Sequence, residues 1–204
     1  MLDARLRRLI GPALDRLGGG LARSGITADA LTWTGFGAGL SAIALVAGEY
    51  YGAGLLAFLL NRLLDGLDGA VARRRGITDL GGYLDITLDF VIYAGFVLGF
   101  ALARPAENGL AAAFLLFSFM GTASTFLAFA AIAARRGLAS ERYGPKAIYY
   151  LGGLTEGTET ILAFGLFCLL PAHFATLAVL FGALCCVTAA SRVYMGYLAF
   201  REPR

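Results

Sequence analysis

The stretch DGLDGAVARRRGITDLGGYLDITLD, residues 65–89, contains five aspartates, four of which lie in pairs at the adjoining ends of two strongly apolar segments. Asp65 and Asp68 come at the end of the first segment, and Asp85 and Asp89 come at the start of the second. Spacings of three and four residues place each pair on one face of a helix. Because only a short loop joins the two helices, we expect them to be neighbours whose carboxylates converge at one depth.

The composition around this stretch is that of an integral membrane protein. The chain has 204 residues, of which 58% are hydrophobic and 15% charged, whereas soluble domains are about 45–50% apolar and about 25% charged. A spanning helix needs about 20 mainly apolar residues. Six segments meet this requirement: 29–48, 52–72, 82–103, 108–134, 148–170 and 173–199. We therefore predict an all-α bundle of six transmembrane helices that forms one membrane domain over residues 1–204.

The N-terminal segment, residues 1–25, is predicted to be an amphipathic helix outside the six-helix bundle. Its apolar residues form one helical stripe, with arginines mostly on the other face. The stripe consists of Leu2, Leu6, Leu9, Ile10, Ala13, Leu14, Leu17 and Leu21. Such a helix suits the anionic inner leaflet, although packing on the loops of the bundle is an alternative. Pro12 is expected to kink or divide it.

The distribution of basic residues predicts the orientation in the membrane. Fourteen of the 17 Lys and Arg residues fall in the N-terminal segment, the second-to-third loop, the fourth-to-fifth loop and the C-terminal tail. Arg104 is the one basic residue in a loop on the opposite side, and Arg62 and Arg192 lie within spans. The excess of basic residues in cytoplasmic loops then places both termini and the four aspartates at the cytoplasmic side, in a bacterial inner membrane.

The four carboxylates are costly in this setting unless something compensates their charge. An ionised Asp at the centre of a bilayer costs about 2.5–3.5 kcal/mol on insertion scales. Two divalent cations would balance four negative charges, and oxygen-only ligands suit Mg²⁺ or Mn²⁺. Pairs of such ions assist phosphoryl displacement. The pattern therefore predicts a two-metal site built from Asp65, Asp68, Asp85 and Asp89.

Small residues beside the first aspartate pair predict a ligand surface. Gly66, Gly69 and Ala72 remove side chains from one stretch of helix, so that either a bulky ligand or another helix can approach the backbone. Arg73 follows one turn after Gly69 and could hold phosphate oxygens. Gly81 opens the next helix, near Asp85.

These residues together resemble the signature of the CDP-alcohol phosphotransferases. The family pattern is D-x-x-D-G-x-x-A-R, a spacer, and G-x-x-x-D-x-x-x-D, and all eight named positions are present between Asp65 and Asp89. The spacer has seven residues here, where the family commonly has eight. The six-helix layout and the N-terminal interfacial helix also look like this family.

The resemblance implies an activity and a role for each motif residue. Such enzymes move a substituted phosphate from a CDP-linked alcohol, here expected to be CDP-diacylglycerol, to a small alcohol and release CMP. Asp65, Asp68 and Asp85 would hold metal, and Asp89 would share a metal and act as general base. Gly66, Gly69, Ala72, Arg73 and Gly81 would line the CDP-alcohol site. The family also implies a homodimer, and nothing in the sequence suggests nucleic-acid binding.

Other polar residues give weaker signals. The stretch ITADALT, residues 26–32, loosely resembles the family's entry to the first span, which adds Asp29 and Thr32 to the expected nucleotide site; Asp29 could instead cap the helix. Glu156 and Glu159 at the cytoplasmic end of the fifth span are expected to form an acceptor pocket with Arg192. Arg62, one turn before Asp65, is expected to pair within the bundle.

The acceptor and two other protein classes stay open at this stage. The sequence LDITLDF, residues 84–90, lacks the Pro and Lys usual in phosphatidylglycerophosphate and cardiolipin synthases, which weakens those assignments. Inositol phosphate, glycerol phosphate, serine and choline all remain candidates. A divalent-cation transporter would spread its acids through the membrane depth. An aspartate-rich intramembrane prenyltransferase would need more spans and longer Asp-rich loops.

Overall fold

The computed structural model describes residues 2–137 and 155–201, with side chains from residue 8 onward. Within these ranges it contains α-helices, one short 3₁₀ helix and no strand. The helices are α1 (Leu2–Arg23), α2 (Ala28–Ala47), α3 (Tyr51–Arg75), α4 (Asp79–Ala103), α5 (Pro105–Arg135), α6 (Gly157–Leu169) and α7 (Phe174–Phe200). The all-α prediction is therefore confirmed.

The number of membrane spans is confirmed only in part. Four helical segments in the described ranges are long and apolar enough to cross a membrane: α2, α4, α5 and Pro171–Phe200. Helix α3 is 25 residues long, but its second half carries the charged residues of the motif. Helix α6 has 13 residues, and residues 148–154 of the predicted fifth span lie outside the described part. The count of six spans stays a prediction.

Aromatic side chains fill the centre of the bundle. Phe58 of α3, Phe96 of α4 and Phe164 of α6 are fully buried, and the Phe96 and Phe164 rings stack with their centroids 4.9 Å apart. Large apolar side chains on the outside stay exposed, among them Leu110 and Phe117 of α5. A protein in a bilayer has an apolar exterior as well as an apolar core, because lipid tails instead of water surround its helices.

Helix α2 packs closely on both α3 and α4. Gly39 of α2 makes this possible, since a Cβ there would lie 2.5 Å from Cδ1 of Ile92 on α4. Helices α3 and α4 themselves meet chiefly through long side chains, such as the Phe58 and Phe96 rings. The sequence led us to expect α3 and α4 as neighbours; they do contact each other, and together with α2 they line a cleft.

Helix α1 continues through Pro12 from Leu2 to Arg23, so the proline does not divide it. Leu14 packs against the apolar cluster that α2 and α3 form. Gly18 comes so close to α3 that a Cβ there would lie 2.6 Å from the Cβ of Ala70. Leu9 and Leu17 stay exposed, which leaves part of the stripe for the membrane surface. Thus α1 docks on a helix of the bundle rather than on its loops.

The orientation can be tested with two introduced cysteines. Ile77, in the loop between α3 and α4, is 79% exposed, and Glu107, near the start of α5, has an exposed side chain. In a variant with Cys168, Cys185 and Cys186 replaced by Ala, we expect Ile77→Cys to react with an impermeant maleimide only from the cytoplasmic side. Glu107→Cys should react only from the opposite side. The reverse labelling pattern would overturn the orientation derived from the basic residues.

Candidate active site

A tight connection brings the two aspartate pairs to the same end of the bundle. Helix α3 ends at Arg75, and Gly76 adopts a φ of +119°, a conformation that favours glycine. Thr78 then caps α4, its hydroxyl oxygen accepting the Gly81 N–H at 3.0 Å. The three-residue connection reverses the chain direction, so the last turns of α3 and the first turns of α4 lie at one depth.

Three of the four aspartates converge. Asp65, Asp68 and Asp85 each offer a carboxylate oxygen within 4.8 Å of the others. Asp68 is buried, Asp65 is partly buried and Asp85 is exposed. All the donor atoms are oxygens, which is the chemistry that Mg²⁺ and Mn²⁺ prefer. The residues therefore fit a divalent metal site that is open to the solvent on the Asp85 side.

Asp68 is held by the neighbouring helix. The Thr32 hydroxyl on α2 donates to Asp68 Oδ2 at 2.6 Å. This contact uses one lone pair of one oxygen and leaves the other oxygen for a ligand. Thr32 was predicted to line the nucleotide site; its direct contact in the structure is with an aspartate of the cluster.

Asp89 has a different partner from the other three carboxylates. Both of its oxygens accept N–H groups of Arg62, at 2.6 Å and 3.0 Å. The guanidinium also lies 3.7 Å from Asp65. The expectation that Arg62 pairs within the bundle is confirmed. The charge balance drawn from the sequence changes, since one arginine already offsets one of the four negative charges.

A cleft between α2, α3 and α4 joins these groups. Its wall combines the four aspartates with apolar and small residues of the three helices. The lining residues are Thr32, Gly35, Phe36, Asn61, Asp65, Asp68, Asp85, Leu88, Asp89 and Ile92. The cleft therefore presents carboxylate oxygens on one part of its wall and the apolar side chains of Phe36 and Leu88 on another.

The residues predicted to line the nucleotide site fall into two groups. Gly69, Ala72 and Arg73 lie near the end of α3, where a Cβ on Gly69 would be 3.4 Å from the Arg73 guanidinium. Gly66 instead faces α1, because a Cβ there would be 3.1 Å from Leu14. Arg73 donates to Asp15 of α1 at 2.9 Å in an exposed ion pair, which a phosphate could replace at little cost.

Two further residues lie at helix N-termini. Asp29 is exposed in the first turn of α2, and the cap of this helix is Thr27, whose hydroxyl oxygen accepts the Ala30 N–H at 3.2 Å. The capping hypothesis for Asp29 was therefore wrong, because Thr27 already occupies the cap position. Gly81 donates its N–H to the α4 cap. The predicted nucleotide contacts of both residues stay predictions.

The predicted acceptor residues lie at the start of α6 and on α7. Glu156 and Glu159 form a capping box, in which the Glu159 carboxylate accepts the Glu156 N–H at 3.1 Å. Arg192 of α7 donates to the Thr122 carbonyl at 3.1 Å, and its charge interacts with that of Glu156. The capping box gives the two acids a structural role, and the acceptor pocket itself stays a prediction.

Sequence reasoning missed three residues that contact Arg62 or Arg73. Asp15 was overlooked because α1 is distant in sequence from Arg73. Asn61 and Tyr93 contact Arg62 at 2.8 Å and 3.0 Å. Tyr93 follows Asp89 by four residues, so its position on the same face of α4 could have been read from the spacing.

Comparison with known proteins agrees with this geometry. A model of the CDP-alcohol phosphatidyltransferase family matches residues 25–199. The inner membrane protein YnjF of Escherichia coli (strain K12) is 54% identical over 202 residues, which cover 99% of this chain and 98% of YnjF. The archaetidylinositol phosphate synthase of Pyrococcus horikoshii is 37% identical over 106 residues, or 48% of this chain and 53% of that protein.

Solved structures show the same fold. The phosphatidylinositol phosphate synthase PgsA1 of Mycobacterium tuberculosis, with CDP-DAG bound, superposes with a TM-score of 0.66 at 23% identity, covering 90% of this chain and 93% of that chain. The same enzyme in complex with manganese and citrate gives a TM-score of 0.66, covering 90% and 88% of the two chains. At this level of identity the likeness establishes the fold alone.

Proposed function

Because this chain belongs to the CDP-alcohol phosphatidyltransferase family, we propose that it transfers the phosphatidyl group of CDP-diacylglycerol to the hydroxyl group of a small alcohol. The observation that carries this proposal is the convergence of Asp65, Asp68 and Asp85 beside a cleft between three helices. Family membership argues against the two alternatives considered from the sequence, a divalent-cation transporter and an aspartate-rich prenyltransferase. The inner membrane location that YnjF's name records supports the same location here. The proposed cytoplasmic side of the site rests on the distribution of basic residues alone.

In the proposed reaction, the acceptor oxygen forms a bond to the phosphorus that bears the diacylglycerol. The bond between this phosphorus and the bridging oxygen of the pyrophosphate breaks, and CMP leaves with that oxygen. The acceptor proton passes to the Asp89 carboxylate as general base. Divalent ions bound by Asp65, Asp68 and Asp85, and shared by Asp89, would neutralise the pyrophosphate and the departing CMP; we propose two ions, Mg²⁺ or Mn²⁺.

Binding of the CDP-alcohol is assigned to the end of α3 and its surroundings. The Arg73 guanidinium can exchange its exposed partner Asp15 for phosphate oxygens, which it can bind in a bidentate fashion. Gly69 and Ala72 have small or no side chains, so a ligand can approach the backbone of α3 beside Arg73. The exposed apolar exterior of the helices lets the acyl chains stay in the membrane while the nucleotide binds at the end of α3.

For the acceptor, we propose an alcohol that carries a phosphate group, with inositol phosphate as the first candidate. Two observations support this choice. The archaeal relatives with significant similarity are named archaetidylinositol phosphate synthase, and Arg192 supplies a partly buried cation at the side of the bundle where Glu156 lies. Glycerol phosphate is the second candidate. Choline has no anionic group for Arg192, and serine offers a carboxylate in place of a phosphate.

The acceptor can be identified with membranes that contain the protein and labelled CDP-diacylglycerol. Inositol phosphate, glycerol phosphate, serine and choline are supplied one at a time, and the lipid products are separated. We expect product with a phosphate-bearing acceptor, and a rise in that acceptor's KM of about 10-fold or more for Arg192→Gln, the usual size for a lost charged contact. Product with serine or choline alone would refute the proposed acceptor class and leave the proposed transfer reaction standing.

A further inference from the structure

A layer of polar residues lies under the aspartate cluster, deeper in the bundle. Its centre is Arg62, whose side chain is only 8% exposed. A buried guanidinium has to be paired and hydrogen-bonded, because an uncompensated charge in such a position is costly. Its partners therefore indicate what it does, since each of them contributes to keeping it there.

The contact with Asp89 has the geometry of an orienting pair. Nη2 of Arg62 donates to Asp89 Oδ1 at 2.6 Å, and Nη1 donates to Asp89 Oδ2 at 3.0 Å. Two parallel bonds from a planar fork define the plane of the carboxylate as well as its position. Asp65, by comparison, is 3.7 Å from the same guanidinium, a distance that supplies attraction without orientation.

Arg62 is itself held by groups from three helices. Its Nε donates to Asn61 Oδ1 at 2.8 Å, and Asn61 Nδ2 donates to the Gly35 carbonyl of α2 at 2.9 Å. Its Nη1 also donates to the Tyr93 hydroxyl of α4 at 3.0 Å, and its Cζ lies 4.9 Å from the centre of that ring. A continuous chain of hydrogen bonds therefore runs from the backbone of α2 through α3 to the Asp89 carboxylate on α4.

We propose that Arg62 is a positioning residue that holds the Asp89 carboxylate in the orientation needed at the aspartate cluster. The inference rests on the proposed function, in which Asp89 takes the acceptor proton. Each carboxylate oxygen keeps lone pairs beyond those that Arg62 uses, so Asp89 can still face the cleft that it lines. If Arg62 had a purely structural role, it would need only to offset negative charge. Another basic side chain of similar length at this position would then serve equally well.

Arg62→Lys tests this distinction, because lysine keeps the positive charge and loses the planar fork. We expect the kcat of the folded variant to fall by about 10- to 100-fold, as for a misplaced reacting group. Its Kd for CDP-diacylglycerol, measured by calorimetry, should stay within about threefold of wild type, because ground-state binding is not what the fork supports. Thermal unfolding of each sample establishes that it is folded.

Arg104→Lys is the matched control. Arg104 also directs two N–H groups at one acid, Glu49, at 2.9 Å and 2.8 Å, but it is the C-cap of α4, about four turns beyond Asp89. We expect this variant to keep its kcat within about twofold of wild type, the scatter usual for substitutions remote from a site. Equal losses in both variants would refute a specific role for Arg62.

A double variant shows whether Arg62 acts through Asp89. If it does, Arg62→Lys combined with Asp89→Asn should be no slower than Asp89→Asn alone, to within about threefold, because residues that act as one unit are non-additive. Losses that multiply would show that Arg62 acts elsewhere, and would refute the inference.

Two further results separate this inference from the proposed function. If Arg62→Lys does not fold, Tyr93→Phe removes one hydroxyl that holds Arg62; a kcat lowered about threefold or more with unchanged CDP-diacylglycerol binding supports the inference, since it is the size of one lost hydrogen bond. An unchanged kcat opposes it. If Arg62→Lys has the kcat of wild type while Asp89→Asn is inactive, the positioning role is refuted and the proposed function stands. If the wild-type protein releases no CMP, the proposed function itself is refuted.

Discussion

Asp89→Asn is expected to lower turnover by about 10²- to 10⁴-fold, the usual share of general acid–base catalysis, and to leave CDP-diacylglycerol binding largely intact. Asparagine keeps the size of the side chain and one oxygen that can accept an N–H of Arg62 or bind a metal. The amide cannot take up a proton. The loss should therefore appear in kcat, and the Kd for CDP-diacylglycerol, measured in the same preparation, should change little.

Asp79→Asn provides the control for this experiment. Asp79 begins α4 and is exposed, and it is not among the residues that line the cleft. We expect its kcat to stay within about twofold of wild type, as for a surface substitution. If Asp89→Asn also turns over within a few-fold of wild type, Asp89 is not the base, and another group must accept the proton.

Removal of divalent ions is expected to abolish turnover and to weaken CDP-diacylglycerol binding. Three carboxylates whose oxygens lie within 4.8 Å of one another repel a pyrophosphate, and the single positive charge of Arg62 cannot offset all of them. EDTA should therefore eliminate both signals, and excess Mg²⁺ or Mn²⁺ should restore them. Full activity in the presence of chelator would exclude the proposed metal site.

Asp68→Asn should lower turnover and weaken CDP-diacylglycerol binding, as removal of the divalent ions does. Asp68 is the buried member of the three converging aspartates, and the substitution removes one negative charge from the set. Binding of CDP-diacylglycerol should weaken together with turnover, in contrast to the Asp89→Asn result. Comparable binding in both variants would mean that the four aspartates do not divide into metal-holding and proton-accepting roles.

The sequence predicted the parts of this fold that depend on local periodicity. The predicted span 29–48 corresponds to α2, observed as Ala28–Ala47, and the predicted span 82–103 corresponds to α4, observed as Asp79–Ala103. The convergence of Asp65, Asp68 and Asp85 also followed from spacing, because residues three or four apart share a helix face and a three-residue connection leaves the two helix ends little freedom.

The parts that depend on contacts between distant residues could not be predicted. Arg62 was expected to pair within the bundle, but its closer contact with Asp89 than with Asp65 depends on how α3 and α4 are placed relative to each other. The docking of α1 depends on the close approach of Gly18 to Ala70, which periodicity does not reveal. The cap of α2 was uncertain because Thr27 and Asp29 are both favourable cap residues, and only the backbone geometry at Thr27 decides between them.

The most direct test of phosphatidyl transfer at the aspartate cluster is the stoichiometry of the reaction in purified protein. CDP-diacylglycerol, Mg²⁺ and the identified acceptor are supplied, and CMP and the new phospholipid are measured together over time. We predict equal amounts of both products in wild type, no CMP without the acceptor beyond slow hydrolysis, and neither product in Asp68→Asn. CMP formed without matching phospholipid, or product formation that persists in Asp68→Asn, would contradict this account.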